Sequence, residues 1–491
     1  MSSLSKSLES LLRGSGVIFL GTVVGRLLGL LGQVLIVRAL SPVVFGHVAL
    51  AHTVVLIVAR IAQAGVPQGA ARFLSADEGT ENSHQIIKSS FGLILIGVTV
   101  STTILYMSRY HISTLLDNAR LPFYLTLLIP FVILFPLSRL SISILQVKEL
   151  PKITILIRDV LPYLGAIFAF LLLRWVGVPA IGAVSYWLLI PLAVISVTAV
   201  YGVRNDWFPL NISRPDRGTT RDILSFSWPL AFESSFILLL SNLDILMIGF
   251  FLSSQEVGWY RSVQPLRQAV IFVLTSVVFV YLPIATKYYE RGDLAGLERI
   301  YRISTKWVVS ATLPAVLVLA LFSESIITTL FKQAYVPATP ALSALAVGMF
   351  FRVAAGPTGT TLKAVNRPRV ELIAALVGLV SNVLCNFVLI PTYGIFGAAV
   401  ATGVGFTTFN IIELLIIYSR LGMFPYSFDT VKPILPTVAV VLLLRYQMGS
   451  AGHGIVELTL FGIFAVLVQA VSMYVTRSID ETDIETIKTV L

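Results

Sequence analysis

Residues Phe226 to Tyr260 read FSWPLAFESSFILLLSNLDILMIGFFLSSQEVGWY. The stretch is long enough to cross a bilayer, which takes about 20 mostly apolar residues. It nevertheless contains two carboxylates, Glu233 and Asp244. At about 100° per residue, their spacing places both on nearly the same face of one helix. An ionisable side chain at membrane depth costs roughly 2.5–3.5 kcal/mol, so both residues are candidates for a functional role.

The whole chain has the composition of a polytopic membrane protein. Of its 491 residues, 56% are hydrophobic and 12% are charged, and the mean hydropathy is +0.88. Soluble domains average about 25% charged residues. The single cysteine, Cys385, excludes a disulfide framework and a cysteine-based metal site. The net charge of +10 fits the positive-inside rule, so we predict no nucleic-acid partner, and we predict neither a metal nor a cofactor.

The spacing of the apolar segments predicts an all-α fold with 14 transmembrane helices. The apolar run from residue 370 to residue 418 is divided into two segments, because Pro391 and Gly394 provide a stop. One helix through the whole run would be far too long for one crossing. Lys and Arg concentrate in alternate loops, and this bias predicts that both termini are cytoplasmic and that the protein lies in the cell membrane. The predicted segments lie near residues 16–39, 46–66, 86–108, 121–146, 153–173, 179–203, 226–252, 260–283, 304–323, 337–362, 370–391, 394–418, 431–447 and 455–476.

The end of the opening stretch repeats an earlier motif. LSSQEVG, from Leu252 to Gly258, matches LSPVVFG, from Leu40 to Gly46. Two further pairs follow at nearly the same offset: Pro151-Lys152 with Pro368-Arg369, and the Gly177–Gly182 turn with Gly394–Gly397. Three matches in the same order indicate an internal repeat.

The repeat predicts two homologous lobes of six helices each. Because six is even, both lobes have the same orientation and are related by a pseudo-two-fold axis along the membrane normal, with the substrate path between them. Two extra helices follow at the C-terminal end. The predicted division is an N-lobe over 1–203, a cytoplasmic linker over 204–222, a C-lobe over 223–420, and helices 13 and 14 with a cytoplasmic tail over 421–491.

Two segments resemble the polysaccharide-exporter branch of the multidrug/oligosaccharidyl-lipid/polysaccharide superfamily. They are RLLGLLGQVLIVRALSPVVFGHVAL, from Arg26 to Leu50, and SNLDILMIGFFLSSQEVGWY, from Ser241 to Tyr260. The motifs look like those of O-antigen and oligosaccharide flippases more than those of multidrug and toxin extrusion (MATE) proteins. The resemblance implies movement of a glycan linked to polyprenyl phosphate or pyrophosphate from the inner to the outer leaflet. Such a substrate also requires contact with membrane lipids.

Arginines inside apolar segments are the candidates for contact with the substrate phosphate. Arg26 shares a similar helix face with Gln33, and Arg60 lies in the second predicted helix. On the eighth predicted helix, Arg261 and Gln264 form a polar stripe with Arg267 beside it. Related lipid II flippases are similar in carrying cavity arginines on helices one, two and eight, which implies a substrate-binding role for these residues. A structural pairing with Asp244 or Glu233 is the alternative, and an ion pair between the neighbours Arg158 and Asp159 is expected.

The two carboxylates of the opening stretch are the candidates for ion coupling. Asp244 follows Asn242 in a motif that recurs in the family, and it either binds a coupling cation, sodium or proton, or neutralises a cavity arginine. Glu233 is the second candidate on the same helix face. Buried carboxylates are tolerated only beside such a partner.

Two other functions compete with the flippase interpretation. A MATE-type ion-coupled exporter of small cationic molecules would require a net negative cavity, yet arginines outnumber carboxylates inside the apolar segments. A membrane glycosyltransferase or ligase would require a catalytic acid beside a large extracytoplasmic loop. The predicted loops leave no room for such a domain, so we predict a transporter without catalytic residues.

Overall fold

A computed structural model of the chain describes residues 2–76, 80–147, 154–205, 207, 216–448 and 454–479. Side chains are described at these positions except 2–20, 80–81, 233 and 368–369. These residues form helices and turns, with no strand among them, and they belong to two compact units, Met1–Gly258 and Trp259–Leu491. The predicted all-α class is therefore confirmed, and the predicted lobe boundaries stay a prediction.

Eight helices and the start of a ninth are described in the first unit. A single π-helical turn, Leu156–Val160, precedes the sixth helix. The helices are α1 Ser2–Ala39, α2 Pro42–Ala62, α3 Val66–Ser75, α4 Thr80–Leu115, α5 Leu121–Val147, α6 Leu161–Trp175, α7 Pro179–Arg204, α8 Arg217–Phe251 and α9 Ser254–Glu290.

The described part of the second unit continues from α9 with eight further helices. A short 3₁₀ helix, Gln333–Ala338, precedes α12. The helices are α10 Leu294–Leu321, α11 Ser323–Leu330, α12 Thr339–Ala354, α13 Thr358–Ala364, α14 Pro368–Leu421, α15 Phe428–Val431, α16 Ile434–Met448 and α17 Ile455–Val475.

Twelve helical spans in the described residues are long and apolar enough to cross a membrane. One of them, within α14, covers two predicted segments, and the predicted break is present at Gly394, whose φ of 58° and ψ of −139° are not helical. The 15 residues of α16 are fewer than a full crossing requires. The chain is a multi-pass membrane protein, and the count of 14 crossings stays a prediction.

Two segments that we predicted as single helices are interrupted. The segment near 46–66 ends as α2 at Ala62, and Ala64 and Gly65, both with positive φ, separate it from α3. The segment near 337–362 is divided into α12 and α13 at Gly356, whose φ is 70°. A left-handed residue ends a helix because its carbonyl and amide no longer continue the α-helical bonding pattern. Apolar periodicity does not reveal such interruptions, so α3 was missed.

Polar caps define where several helices begin. The Ser41 hydroxyl accepts a hydrogen bond from the Val44 amide at the start of α2, and Pro42 occupies the first turn. Asp216 caps α8, and its Oδ2 accepts hydrogen bonds from the Thr219 amide at 2.8 Å and the Thr219 hydroxyl at 2.9 Å. These bonds favour the carboxylate and hold the pKa of Asp216 below its ordinary value. Such caps satisfy amides that have no partner inside the helix.

The core of the first unit is built around α2 and α5. Helix α2 packs on α5 and α8, and α5 also packs on α4 and α7. Phe45, Leu125 and Phe170 are fully buried in this unit. Large apolar side chains such as Met107, Phe168 and Trp175 are exposed instead. In a membrane these side chains face an apolar solvent, so their exposure costs nothing there.

In the second unit, α12 packs against α10 and α14, and α17 packs against α10. Its interior contains tyrosines that hydrogen-bond to the threonines of α13. Tyr281 and Thr361 are joined at 2.7 Å, and the Tyr301 hydroxyl donates to Thr358 at 3.1 Å. These bonds attach α9 and α10 to the short helix that follows the break at Gly356.

Candidate functional site

Helix α1 brings Arg26 next to the π-helical turn of the first unit. A Cβ on Gly25 would lie 2.6 Å from the Asp159 carbonyl oxygen, and a Cβ on Gly21 would overlap the Ile155 side chain. The glycines therefore let the backbone of α1 approach the turn closely. Arg26 is exposed, and its electrostatic neighbours are Asp159 and Arg158.

Arg158 and Asp159 form the expected ion pair. The Nε of Arg158 donates to Oδ1 of Asp159 at 2.9 Å, and Nη2 donates to Oδ2 at 2.6 Å. The same Nη2 also donates to the Thr22 hydroxyl of α1 at 3.1 Å. The guanidinium therefore binds both carboxylate oxygens, the geometry that it uses for carboxylates and phosphates alike.

Arg60 lies near the end of α2 and is half-buried. Its guanidinium carbon is 5.2 Å from the centroid of the Phe135 ring on α5. Its electrostatic neighbour is Arg139, also on α5, and Arg139 in turn has Arg158 as a neighbour. Two like charges, one near the end of α2 and one on α5, therefore repel each other.

These contacts connect the arginines of four elements into one group. The charges of Arg26, Arg60, Arg139 and Arg158, here called the N-terminal arginine cluster, interact in succession, with Asp159 as a carboxylate among them. Each member lies in, or directly beside, a helix that is long enough to cross a membrane. Like charges within membrane-crossing helices are costly unless an anion neutralises them, so the cluster is a candidate anion site.

The cluster contains two of the predicted site residues and two others. Arg26 and Arg60 were expected to contact substrate. Arg139 and Arg158 also stand out as charges in apolar segments, but the sequence does not reveal their proximity to the others. Gln33, the predicted companion of Arg26, is half-buried farther along α1, and its buried Oε1 accepts no hydrogen bond from the described residues.

Asp244 is fully buried in the first unit. It lies on α8, which packs on α2, α3 and α4, and its Oδ1 accepts a hydrogen bond from the Ile245 amide at 2.9 Å. Glu233 lies earlier on the same helix, and its side chain is outside the part of the chain that the structure describes. The proposed pairing of these two carboxylates with an arginine or a cation stays a prediction.

The remaining predicted site residues belong to the second unit. On α9, Nη1 of Arg261 donates to Oε1 of Gln264 at 2.8 Å. Gln264 is buried, and Arg267 is only 6% exposed. Arg261 and Gln264 thus form the predicted polar stripe, whereas Arg26 and Arg60 belong to the other compact unit.

A second charged group in the second unit was not predicted as a site. Lys363 and Glu371 form an ion pair at 3.0 Å, and a Cβ on Gly359 would lie 3.0 Å from Glu413 and 3.5 Å from Glu371. The charge of Arg352 interacts with those of Glu413 and Glu371. These residues hold α12, α13 and α14 together around the break at Gly356.

Arg352 and Asn410 complete this group. The guanidinium carbon of Arg352 is 4.0 Å from the centroid of the Phe406 ring, and the Asn410 side chain donates to the Arg352 carbonyl at 2.6 Å. Asn410 therefore satisfies a carbonyl near the end of α12 that the interrupted helix leaves available. Among the residues described, three or more His, Cys, Asp or Glu side chains do not come together in a way that could hold a metal ion.

More than half of the chain matches a known protein family. The family described as Polysaccharide biosynthesis protein matches residues 11–289. The chain belongs to this family. A second family, described as MatE, matches residues 229–388. The matches confirm the resemblance to polysaccharide exporters within the MATE-like superfamily.

The chain is also similar to individual proteins of known description. The chain is 23% identical over 292 residues to the probable low-salt glycan biosynthesis flippase Agl15 of Haloferax volcanii, covering 59% of this chain and 61% of that protein. A lipid II flippase MurJ structure in an inward closed conformation aligns with a TM-score of 0.76 and 15% identity, over 93% of this chain and 98% of that chain.

An inward-facing multidrug resistance MATE transporter aligns with a TM-score of 0.68 and 15% identity, over 81% of this chain and 94% of that chain. Both structural likenesses establish the fold. The chain spans between 50% and 61% of the length of the curated relatives that it matches.

Proposed function

We propose that this protein is a flippase that moves a lipid-linked glycan from the cytoplasmic to the outer leaflet by alternating access. The N-terminal arginine cluster is the observation that carries the proposal. A lipid-linked glycan is anionic at its phosphate, polar along its sugars and apolar in its lipid. Arginine suits the phosphate because its planar fork donates two hydrogen bonds and stays charged at depth.

The relatives support this assignment. Agl15 is named a probable glycan biosynthesis flippase, and the fold is that of a lipid II flippase structure. By analogy with lipid II flippases, we assign substrate contacts to each unit separately. They are Arg26 and Arg60, with Gln33 in a supporting position, in the first unit, and Arg267, with Arg261 and Gln264 in supporting positions, in the second. The carrier is a polyprenyl phosphate or pyrophosphate. No covalent step is needed, so the protein acts as a transporter rather than as an enzyme.

Transport against a gradient needs an energy source, and we assign this role to a coupling cation, sodium or proton, bound at Asp244 with Glu233. The support is the full burial of Asp244 within an apolar helix. A carboxylate at that depth is tolerated when a cation or proton neutralises it. Ion binding at one carboxylate would then favour one of the conformations between which the transporter alternates.

The proposed orientation has both termini in the cytoplasm of a cell-membrane protein. It rests on the loop bias of Lys and Arg. Reporter fusions at Asn118 and Ser254 should read outside, and a fusion at Asp216 should read inside. An outside signal at Asp216 would exclude this topology and the six-helix N-lobe.

Direct measurement of flipping tests the function. Purified protein is reconstituted into liposomes with a fluorescent polyprenyl-diphosphate oligosaccharide, and the fraction exposed on the outer leaflet is followed with a membrane-impermeant glycosidase. Protein-containing vesicles should expose the inner-leaflet pool, whereas protein-free vesicles should not. Equal exposure in the two preparations at full reconstitution would contradict the proposal.

A MATE-type exporter of cationic molecules is the second candidate, because a MatE family match covers residues 229–388. The buried Glu371 and Glu413 of the second unit are the carboxylates that would attract such a cation. Accumulation of a cationic dye in the same vesicles under an imposed ion gradient separates the two functions. Dye transport without glycan flipping would favour the exporter.

A further inference from the structure

The ion pair between Arg158 and Asp159 has an unusual position. Successive residues of an α-helix point about 100° apart and do not face each other. These two pair through two hydrogen bonds inside the π-helical turn Leu156–Val160. Single π-helical turns inside α-helices occur frequently at functional sites.

The pair is also accessible. The Arg158 side chain is 27% exposed and the Asp159 side chain 14% exposed. The pair is therefore not enclosed in the core. A ligand can reach the guanidinium if the carboxylate moves away.

The surroundings of Asp159 are cationic. Beyond Arg158, its charge interacts with that of Arg26 on α1, and the charge of Arg139 on α5 interacts with that of Arg158. A carboxylate that is held by both ends of a guanidinium fork, with further arginines around it, occupies the position that a phosphate would take. Carboxylate and phosphate are bound by arginine with the same two-bond geometry.

We propose that Asp159 is the resident counter-ion of an anion site in the N-terminal unit, and that a phosphate of the substrate exchanges with it on Arg158. The proposal rests on the proposed function, because the phosphate is that of the lipid-linked glycan. On loading, a phosphate oxygen replaces the carboxylate on the guanidinium. On release, Asp159 returns to Arg158 and displaces the phosphate.

This exchange solves a problem that arginine-rich sites share. Several charge-assisted bonds to one phosphate hold it tightly, and a transporter must release its substrate. A carboxylate that competes for the same guanidinium lowers the affinity and offers Arg158 a partner as soon as the phosphate leaves. Asp159 would therefore weaken binding and accelerate release.

Helix α1 supports the exchange from one side. The Cβ of Asp159 would lie 2.7 Å from a Cβ placed on Gly25, so no side chain of α1 separates its backbone from the turn. The Thr22 hydroxyl accepts a hydrogen bond from Arg158 and keeps the guanidinium in place when the carboxylate moves. Arg26, one turn farther along α1, adds positive charge beside the same carboxylate.

A structural pair and an exchanging pair predict opposite effects of removing the carboxylate charge. If the pair is structural, Asp159→Asn leaves Arg158 without its partner, and both the melting temperature and anion binding fall. If the pair exchanges, the same substitution removes a competitor, so an anionic lipid binds more tightly and turnover slows. The isosteric amide keeps the size of the side chain constant in both cases.

The test measures binding of farnesyl diphosphate, with farnesol as the uncharged probe, to the full chain in nanodiscs. We expect Asp159→Asn to bind farnesyl diphosphate about tenfold more tightly, which corresponds to roughly 1.4 kcal/mol, with farnesol binding unchanged. The matched control is Asp429→Asn, which removes the carboxylate of the Asp429–Lys432 ion pair at 2.7 Å in the second unit. Equal or weaker binding by Asp159→Asn at an unchanged melting temperature would overturn the proposal.

A second variant decides the question if Asp159→Asn fails to fold. Arg158→Lys keeps the charge and loses the two-bond fork, so we expect weaker binding of farnesyl diphosphate with farnesol binding retained. Binding at the wild-type level by this variant would overturn the exchange.

The binding test of the exchange and the flipping test of the proposed function can fail independently of each other. If the wild-type protein flips glycan and Asp159→Asn binds the diphosphate as the wild type does, only the exchange is wrong. If the wild-type protein flips no glycan, the proposed function fails, and the farnesyl diphosphate measurement still decides whether Asp159 competes for an anion on Arg158.

Discussion

Gly46 and Gly258 approach each other's backbone. A Cβ on Gly46 would overlap the Ser254 carbonyl oxygen and lie 3.0 Å from the Gly258 nitrogen, and a Cβ on Gly258 would overlap the Pro42 carbonyl oxygen. The two glycines end the two copies of the repeated motif, LSPVVFG and LSSQEVG. The repeat therefore marks a reciprocal contact between the start of α2 and the start of α9, in which neither side has room for a side chain.

We expect Gly46→Ala and Gly258→Ala each to lower the melting temperature of the purified protein. The added methyl group meets backbone atoms, which cannot move aside as a flexible side chain does, and overpacking of this kind costs about 1–3 kcal/mol. Gly165→Ala is the matched control, because a Cβ on Gly165 has nothing within 4 Å. A melting temperature of Gly46→Ala equal to that of Gly165→Ala would contradict the close contact.

A charge inside an apolar helix is visible in the sequence, and its neighbours are not. Four arginines of the first unit lie within apolar segments, yet we selected only Arg26 and Arg60 as substrate contacts and not Arg139 or Arg158. Arg26 joins the group through the packing of α1 on the π-helical turn, which Gly21 and Gly25 permit. The sequence contains these glycines at a helical spacing but does not reveal which partner they pack against.

One of three breaks in helices was predicted from the sequence, and the other two were not. Pro391 and Gly394 marked the break in α14, because the apolar run there is too long for one crossing. The interruptions at Gly65 and Gly356 lie in apolar runs that are short enough for one crossing, so the length of the run did not indicate a break. The charged group around Glu371 and Glu413 was not predicted, because it forms around the break at Gly356, which was not predicted either.

Asp216 should make the start of α8 sensitive to acid. Its pKa is lowered in the folded state by its hydrogen bonds to Thr219, so its contribution is present at neutral pH and is lost as the pH falls below about 4. We expect hydrogen exchange of the amides at 217–220 to accelerate, relative to the intrinsic rate, over this pH range. Asp216→Ala should exchange quickly at every pH.

Asp216→Asn is the control for this effect. Asparagine also caps helices but does not titrate, so the variant should retain slow exchange at neutral pH and lose the acid dependence. Identical pH profiles for the wild type and Asp216→Asn would exclude Asp216 as the titrating group.

Asp244→Asn should slow transport and remove its dependence on the coupling ion. The side chain is fully buried, and the amide keeps its size, so the protein should still insert and purify. Without the carboxylate, neither a sodium ion nor a proton is bound there, and flipping should no longer respond to an imposed gradient of that ion. The assay compares glycan flipping in vesicles with and without the gradient, at equal amounts of reconstituted protein. Full retention of the gradient response by the Asn variant would show that coupling occurs elsewhere.

Arg26, Arg60 and Arg267 should each be required for flipping in a way that depends on their charge. A charge-assisted hydrogen bond contributes about 1.5–3 kcal/mol, so loss of one contact made in transit should slow flipping about tenfold or more. Alanine variants should therefore be strongly impaired, and lysine variants should recover part of the rate, because lysine keeps the charge and loses the bidentate fork.

Arg109→Ala is the matched control for these arginine variants. Its guanidinium carbon lies 3.7 Å from the Tyr106 ring centroid and 4.5 Å from that of Tyr110, near the end of α4. Removing it deletes an arginine from a membrane helix without touching the N-terminal arginine cluster, so flipping should stay near the wild-type rate. The melting temperature is measured for every variant, since a structural arginine would lose stability and flipping together. If Arg60→Ala flips at the rate of Arg109→Ala, or if its rate falls only in step with its melting temperature, Arg60 supports the fold and does not contact the substrate.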